Sequence, residues 1–137
     1  MLLTLKMRLT KFNLLLGTQI MKALGDEARL RILNLFLNKG PMTISDLEHI
    51  LEYTQTKTSR HITYLKNSGM LTSQKLDQWV IYSIKDEVYD IISQFVVFVE
   101  KDRQLTHDLE VYSTLFTNRE LAQNKIPQRK WQALKNI

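Results

Sequence analysis

The sequence contains no cysteine, and this absence excludes both disulfide bonds and thiolate metal sites. It fits a reducing compartment, so we expect a cytoplasmic protein. No apolar run approaches the length of a transmembrane helix. Residues 1–16 are rich in leucine, but Lys6, Arg8 and Lys11 interrupt them and no small-residue cleavage site follows, which argues against a signal peptide.

Glycine and histidine are also scarce, and the residue patterns of enzyme active sites are missing. The four glycines all fall at predicted helix or turn boundaries, so they form no phosphate-binding loop. No paired carboxylates and no nucleophile beside a base occur at useful spacing. The three histidines have no partner at metal-ligand spacing, and His49 and His107 are expected on solvated helix faces. We therefore predict neither catalysis nor a cofactor.

The composition fits one folded domain with additional helices. The chain has 137 residues, of which 44% are hydrophobic and 24% charged, so it can bury a core. Its formal net charge of +5 is concentrated at the two ends, since residues 1–11 hold three bases and no acid. Within the body of the chain, residues 54–82 hold four bases and one acid. We expect phosphates to bind at such a local excess of positive charge.

Apolar spacing predicts two helices in the first 40 residues. The first covers residues 2–16, with leucines and Phe12 along one face, and breaks at Gly17. The second has Asp26 as a plausible N-cap and a broad apolar face, and Gly40 and Pro41 end it.

The residue pattern over about the next 45 positions predicts a helix pair followed by a β-hairpin. Either Thr43 or Ser45 can cap a short helix, and a second helix with a polar N-terminus follows and closes at Gly69. Strand-like residues then occupy 71–76 and 79–84. The intervening Asp-Gln pair is a weak turn former, so we expect a loop longer than two residues.

Helices also account for most of the remaining chain. A wide apolar face begins after Asp86, and the period continues over residues 104–118 as either the same helix or a separate one. Residues 124–127 suggest weak order, although Trp131 and Leu134 can anchor the tail. The extension from residue 104 can line a pocket for an apolar molecule with Tyr112, Phe116 and Trp131, or lengthen an interface, and we favour the interface.

A polar helix N-terminus beside a hairpin is typical of a winged helix-turn-helix, in which the second helix of the pair reads base edges. Capping, solvation and packing are the alternatives at each position: Gln55 and Thr56 can cap the helix, His61 can be merely exposed, and Tyr64 can pack on the wing. The predicted DNA contacts are Thr43, Gln55, Thr56, Lys57, Ser59, Arg60, His61, Tyr64, Lys66, Lys75 and Gln78.

Residues 22 to about 92 resemble the ArsR/SmtB family of dimeric winged-helix transcriptional repressors. The phrase KALGDEARLRIL at residues 22–33 resembles the family's opening helix, QTKTSRHITYLKNSGML its recognition helix and turn, and WVIY at 79–82 its second wing strand. The resemblance implies a homodimer, built by the first and last helices, that binds a palindromic operator on double-stranded DNA and leaves it when a signal arrives.

The family's metal sites are not matched. Thr43 and Ser45 stand where one site has two cysteines. At the other site Asp86, Val88, Val99 and Asp102 stand where imidazoles and carboxylates alternate. Carboxylates without imidazole make a poor transition-metal site. We therefore expect no metal at either position.

The hypothesis is a mainly α-helical winged helix-turn-helix that represses transcription as a homodimer on an inverted repeat. It divides into an N-terminal dimerisation helix (1–20), a DNA-binding core (21–85) and C-terminal dimerisation helices with a basic tail (86–137). The alternative is a protein-interaction module whose basic ends bind an acidic partner. The operator sequence, the inducing signal and the choice between repression and activation stay open. The predicted dimer contacts are Leu5, Leu9, Phe12, Leu16, Val88, Ile91, Ile92, Phe95 and Val99.

Overall fold

The computed structural model describes residues 13–135 as eight helices and one antiparallel hairpin. Leu5, Leu9 and Phe12, which were predicted in the dimer interface, lie outside these residues. The elements in chain order are α1 (Leu14–Leu24), α2 (Glu27–Lys39), α3 (Ile44–Leu51), α4 (Gln55–Asn67), β1 (Leu71–Leu76), β2 (Trp79–Ile84), α5 (Asp86–Val97), α6 (Arg103–Thr117), α7 (Ala122–Lys125) and α8 (Gln128–Lys135).

The start of α1 corrects the predicted break at Gly17. The helix begins after Asn13, whose side-chain carbonyl accepts the Leu16 N–H at 2.8 Å, and it continues through Gly17. A helical glycine costs only about 1 kcal/mol relative to alanine. Burial of Ile20 and Leu24 on the core offsets that cost, because each buried aliphatic side chain contributes about 1.5 to 3 kcal/mol.

The predicted caps of α2 and α3 are confirmed. The Asp26 carboxylate accepts the Arg29 N–H at 3.1 Å, and Gly40 ends α2 with a φ of +83° that disfavours side-chain-bearing residues. Of the two candidate caps of α3, Thr43 takes the role, since its hydroxyl accepts the Asp46 N–H at 3.1 Å.

The hairpin has the predicted strands, but its loop is shorter than expected. Leu76 pairs with Trp79, so the turn is only Asp77 and Gln78. Asp77 makes this possible by adopting a φ of +55°, a conformation that Asp tolerates better than most residues. Met42 and Tyr82 exchange backbone hydrogen bonds of 3.0 and 2.8 Å, which fixes the hairpin against the segment before α3.

The core is formed mainly by α2, α3, α4 and the inner faces of α5 and α6. Val88 and Ile92, predicted in the dimer interface, are fully buried in this core, which corrects that assignment because the α5 face that carries them packs on its own chain. Leu16 and Ile91 are half-buried against the same core, whereas Phe95 and Val99 stay exposed. Within residues 13–135, every helix is too short or too polar to span a membrane.

Residues 98–102 separate α5 from α6, which settles the choice between one helix and two. Asp102 caps α6 by accepting the Gln104 N–H at 2.8 Å. Tyr112 and Phe116 stack with ring centroids 5.9 Å apart. Trp131 lies in a different cluster, so the three aromatic residues do not line one pocket.

A buried ion pair joins α2 to α6. The Arg31 guanidinium donates to both Asp108 carboxylate oxygens at 2.9 Å and to the Tyr53 hydroxyl at 2.8 Å. Asp108 is fully buried and also accepts the Gln104 amide at 3.0 Å. The hydrogen bonds to Asp108 raise the pKa of Arg31 above its usual value. Because Tyr53 lies between α3 and α4, this network holds the helix pair against α6.

A second buried carboxylate, that of Asp46 in α3, anchors the start of α7. It accepts the Ala122 N–H at 2.8 Å. Burial raises the pKa of Asp46 above 3.8, although the N–H groups of Ala122 and Gln123 and the Thr43 hydroxyl act in the opposite direction.

This raised pKa predicts a particular pH dependence of stability. The folded chain holds the Asp46 proton more tightly than the unfolded chain, so the contribution is largest below about pH 3.8 and is lost as pH rises through the raised folded pKa. We expect the free energy of unfolding of the wild type, minus that of Asp46→Asn, to fall over this window. Urea titrations between about pH 3.5 and about pH 7 would measure this difference in the free energy of unfolding. A difference that rises with pH would contradict the assignment.

Candidate nucleic-acid interface

The N-terminus of α4 presents polar side chains to solvent because its cap lies one residue earlier than the predicted candidates. The Thr54 hydroxyl accepts the Lys57 N–H at 3.1 Å. Gln55 and Thr56 are therefore not needed for capping, and both are exposed. Ile62 and Leu65 are buried on the opposite face. The helix thus sits on the core by its apolar side and offers its first two turns outward.

The predicted contact residues differ in their exposure. Arg60 is exposed on the outer face of α4, and His61 is half-buried. Thr43 is 5% exposed and its hydroxyl caps α3, so that hydroxyl is already used within the chain. Lys57 and Ser59 are half-buried. The other exposed members of the predicted set are Gln55, Thr56, Tyr64, Lys66, Lys75 and Gln78.

An open cleft of about 240 Å³ brings the helix and the wing together. Gln55 and Ser59 of α4 form one wall, and Gln78 and Val80 of the hairpin form the other. The start of α3, from Thr43 to Ser45, closes one end. Glu48 of α3 also lines the cleft, and its negative charge repels phosphates. The sequence analysis did not predict an acidic side chain at this site, although Glu48 is the only acid between Asp46 and Glu52.

Two basic side chains of the region are held over aromatic rings. The Lys57 ammonium lies 3.9 Å from the centroid of Tyr53. Arg29 lies 4.1 Å from the centroid of Tyr64, and its Nε donates to the Ala23 carbonyl at 2.8 Å. Arg29 of α2 therefore covers one face of the Tyr64 ring, and Tyr64 is still 38% exposed. Such cation–π contacts contribute about 0.5 to 1 kcal/mol at exposed sites and orient the charge.

Lys66 connects α4 to the hairpin. Its ammonium donates to the Ser73 hydroxyl of β1 at 2.7 Å. The bond places a positive charge between the end of the recognition helix and the first wing strand. Lys75 stands on the same face of the hairpin as Ser73, because side chains two apart in a strand share a face.

The electrostatics of α4 disfavour a charged His61. Burial lowers its pKa, and the positive charges of Arg29, Arg60 and Lys57 lower it further, while Asp26 acts in the opposite direction. His61 is therefore predominantly neutral at pH 7. The positive charge at the front of α4 comes from Lys57 and Arg60.

The C-terminal tail supplies an element that the sequence did not predict at this site. Trp131 of α8 is 3% exposed and packs with Ile81 and Ile126, on the hairpin. Lys130 donates to the Asp77 carboxylate in the wing turn at 2.6 Å. The spacing of Ile126, Trp131 and Leu134 indicated an apolar face, but it did not identify the hairpin as its partner. The tail covers its own wing, and the interface role favoured for the extension from residue 104 stays a prediction.

The described residues offer no group of three or more His, Cys, Asp or Glu side chains that could hold a metal ion. At the family's metal positions Thr43 and Asp102 cap helices, and Val88 is buried in the core. These side chains do not fit a transition-metal site.

Three comparisons place the chain among known proteins. The model of the bacterial regulatory protein arsR family matches residues 26–73. The arsenical resistance operon repressor of Escherichia coli K12 is 37% identical over 76 residues, which are 56% of this chain and 65% of the repressor. The chain thus spans less than two thirds of that repressor. The cadmium resistance transcriptional regulatory protein CadC homolog of Staphylococcus aureus is 32% identical over 82 residues, 60% of this chain and 68% of the homolog.

A solved structure agrees with the fold. It is the homodimeric winged helix-turn-helix DNA-binding domain of a possible ArsR-family transcriptional regulator from Mycobacterium bovis, with a TM-score of 0.57 and 21% identity. The alignment covers 63% of this chain and 80% of that domain. The predicted winged helix-turn-helix is therefore confirmed, and the named relatives are regulators and not enzymes. Taken with the identity to the CadC homolog, these matches show that the chain belongs to the ArsR family of transcriptional regulators.

Proposed function

We propose that this regulator is a homodimeric repressor that binds an inverted-repeat operator through α4 and the hairpin. The observation that carries the proposal is that Gln55, Thr56 and Arg60 are exposed in the first two turns of α4, beside a cleft that this helix shares with the wing. Gln55 and Arg60 have the chemistry for base edges, because glutamine pairs with adenine and arginine with guanine in the major groove. The N-terminal end of a helix also favours phosphate.

Phosphate contacts would come from the basic residues around this helix. Residues 54–82 hold four bases against one acid, and the structure distributes the bases over α4 and the hairpin. Lys57 leans on Tyr53, Lys66 bridges to Ser73, and Lys75 lies exposed on β1. Such contacts fix the register of the protein on the duplex but do not read sequence.

Dimerisation is supported by apolar side chains that the described chain leaves uncovered. Phe95, Val97, Phe98 and Val99 at the end of α5 are between 38% and 82% exposed. A contiguous apolar patch of this kind usually marks an interface. The M. bovis domain with the same fold is homodimeric. A two-fold axis would place the two copies of α4 about 34 Å apart, in successive major grooves of an inverted repeat.

Repression is proposed from the E. coli relative, which is named as a repressor. The inducer of that relative is not carried over, because the metal positions of this chain hold Thr43, Ser45 and Val88.

A fluorescence-anisotropy titration would test the proposal. The full chain is titrated against labelled duplexes tiled across the DNA upstream of its own reading frame, at two salt concentrations, with unrelated duplex as competitor. We expect one tile to bind in the presence of competitor, and the affinity to fall steeply with salt because phosphate contacts release counterions. Equal binding to all duplexes, or none, would instead favour the protein-interaction module.

Substitution of Arg60 gives a residue-level prediction. Arg60→Ala should weaken binding to the specific tile by about 1 to 3 kcal/mol if Arg60 contacts a base. Binding to unrelated duplex should change less, so the ratio between the two affinities should fall. Lys101→Ala, an exposed basic residue beyond α5, serves as the control. An unchanged ratio would remove Arg60 from the base-reading set.

A further inference from the structure

The basic tail, defined here as residues 121–135, lies on the side of the hairpin that faces away from α4. Strand pairing places Leu76, Trp79 and Ile81 on one face of the hairpin, and Ser73, Lys75 and Val80 on the other. The first face packs against Ile126, Trp131 and Leu134 of the tail. The second faces α4, as shown by the Lys66–Ser73 hydrogen bond. The hairpin is therefore sandwiched between the recognition helix and the basic tail.

Three hydrogen bonds between side chains and distant parts of the chain fix the tail in this position. The Ala122 N–H donates to the buried Asp46 carboxylate at 2.8 Å. The Tyr112 hydroxyl donates to the side-chain amide oxygen Oε1 of Gln123 at 2.7 Å. Lys130 donates to Asp77 at 2.6 Å. The tail is thus tied to the helix pair, to α6 and to the wing turn.

The charge of the tail suits a polyanion. Residues 121–135 contain four bases and no acid. Lys130 neutralises Asp77, the only acid in residues 54–82, so the wing turn carries no unpaired negative charge. Lys125 and Arg129 are exposed. A protein that needed its tail only as an apolar brace would not require this one-sided charge.

We propose that the basic tail is a third part of the DNA-binding surface, which contacts phosphates of the same duplex beyond the wing. This inference rests on the proposed DNA-binding function. Lys125 and Arg129 bind backbone phosphates, and Lys130 keeps the wing turn from repelling them. The contacts add affinity and extend the footprint at each end of the operator, but they do not read sequence.

The test uses the double variant Lys125→Gln/Arg129→Gln of the full chain. The probe is a labelled duplex of about 40 base pairs that the wild type selects from a random library. Each phosphate contact contributes about 0.9 to the slope of log affinity against log salt. The dimer carries two tails and loses four contacts, so the slope should fall by about 3.6. On lowering salt from about 0.2 M to 0.05 M, the wild type should therefore gain about 150-fold more affinity than the variant.

A matched variant separates location from net charge. Lys101→Gln/Arg103→Gln removes the same two residue types from the exposed connection between α5 and α6 and from the first residue of α6, and it should leave the slope unchanged. Trimming the duplex to the part covered by the wings should remove the difference between wild type and the tail variant. Equal slopes for the tail variant and wild type, or equal losses in both double variants, would overturn the inference.

The failure of this inference differs from the failure of the proposed function. If Arg60→Ala weakens binding while the tail variant binds like wild type, the protein reads DNA without its tail. If the wild type selects no sequence from the library, the DNA-binding function fails, and the tail inference fails with it. Circular dichroism melting of all variants checks that each is folded.

Discussion

Asp108→Ala should lower the free energy of unfolding by about 3 to 5 kcal/mol, because removal of one partner leaves the other charge of a buried pair uncompensated. Asp108 is fully buried and accepts both Arg31 hydrogen bonds at 2.9 Å. In the variant the Arg31 guanidinium loses both hydrogen bonds and, among the described residues, keeps only the Tyr53 hydroxyl as an acceptor. Urea unfolding followed by circular dichroism would measure the loss.

Two further variants identify the cause of this loss. Replacing both partners, as in Arg31→Met/Asp108→Leu, removes the uncompensated charge and should recover most of the stability. Asp77→Asn removes the charge of the exposed pair with Lys130, in which both side chains are at least 36% accessible, and keeps a residue that tolerates the positive φ of the turn. It should cost at most about 1 kcal/mol. An Asp108→Ala loss no larger than that of Asp77→Asn would mean that Arg31 finds water or another acceptor.

The substitution Asp108→Ala should also weaken DNA binding. Arg31 contacts the Tyr53 hydroxyl from one side, and Lys57 lies over the ring of the same tyrosine. A released Tyr53 would no longer fix the Lys57 ammonium, so the folded fraction of Asp108→Ala should bind DNA more weakly than wild type. Anisotropy titrations at a temperature where the variant is fully folded would separate this effect from unfolding.

Trp131→Ala should detach the basic tail from the hairpin. Truncation of a buried tryptophan typically costs about 3 to 5 kcal/mol, and Trp131 is the largest side chain in a small cluster with Ile81 and Ile126. Such a cost exceeds what a short terminal helix gains by docking, so we expect local release of α8 and not global unfolding. Amide hydrogen exchange should show loss of protection over residues 122–135 and little change in α2 and α4.

Trp131→Phe is the matched control for this variant. The indole Nε1 is buried without a hydrogen-bond partner among the described residues, so phenylalanine removes an unsatisfied donor while keeping most of the apolar contact. The tail should therefore stay docked in Trp131→Phe. Unchanged exchange in Trp131→Ala would show that the three tail hydrogen bonds hold α8 without the indole. Loss of the whole core in Trp131→Ala would show that the tail is part of the cooperative unit.

The order and type of most elements follow from local features of the sequence. Apolar residues at three- and four-residue spacing predicted most of the helices, and strand-like residues on either side of Asp77 and Gln78 predicted both strands of the hairpin. Caps such as Asp26 and Thr43 acted on the backbone within three residues. Errors arose where local signals were weak. Gly17 was tolerated inside a helix, and Asp77 allowed a two-residue turn.

The candidate site was predictable only in part. Position in α4 was enough to place Gln55, Thr56 and Arg60 on an exposed helix front. The burial of Thr43 was not predicted, because it depends on neighbours that are distant in sequence. Val88 and Ile92 were misassigned for a related reason, since a wide apolar face on α5 does not reveal which part is covered by the chain itself.

The sequence by itself determined the order of the helices and the hairpin, because caps and periodicity are properties of neighbouring residues, and its resemblance to the ArsR family implied a winged helix-turn-helix regulator. Only the tertiary structure decided which polar residues are free to act and what the tail covers. The contacts responsible join Arg31 to Asp108, Asp46 to Ala122 and Asp77 to Lys130. Each links residues more than 50 positions apart, and local spacing contains no information on which distant side chains will meet.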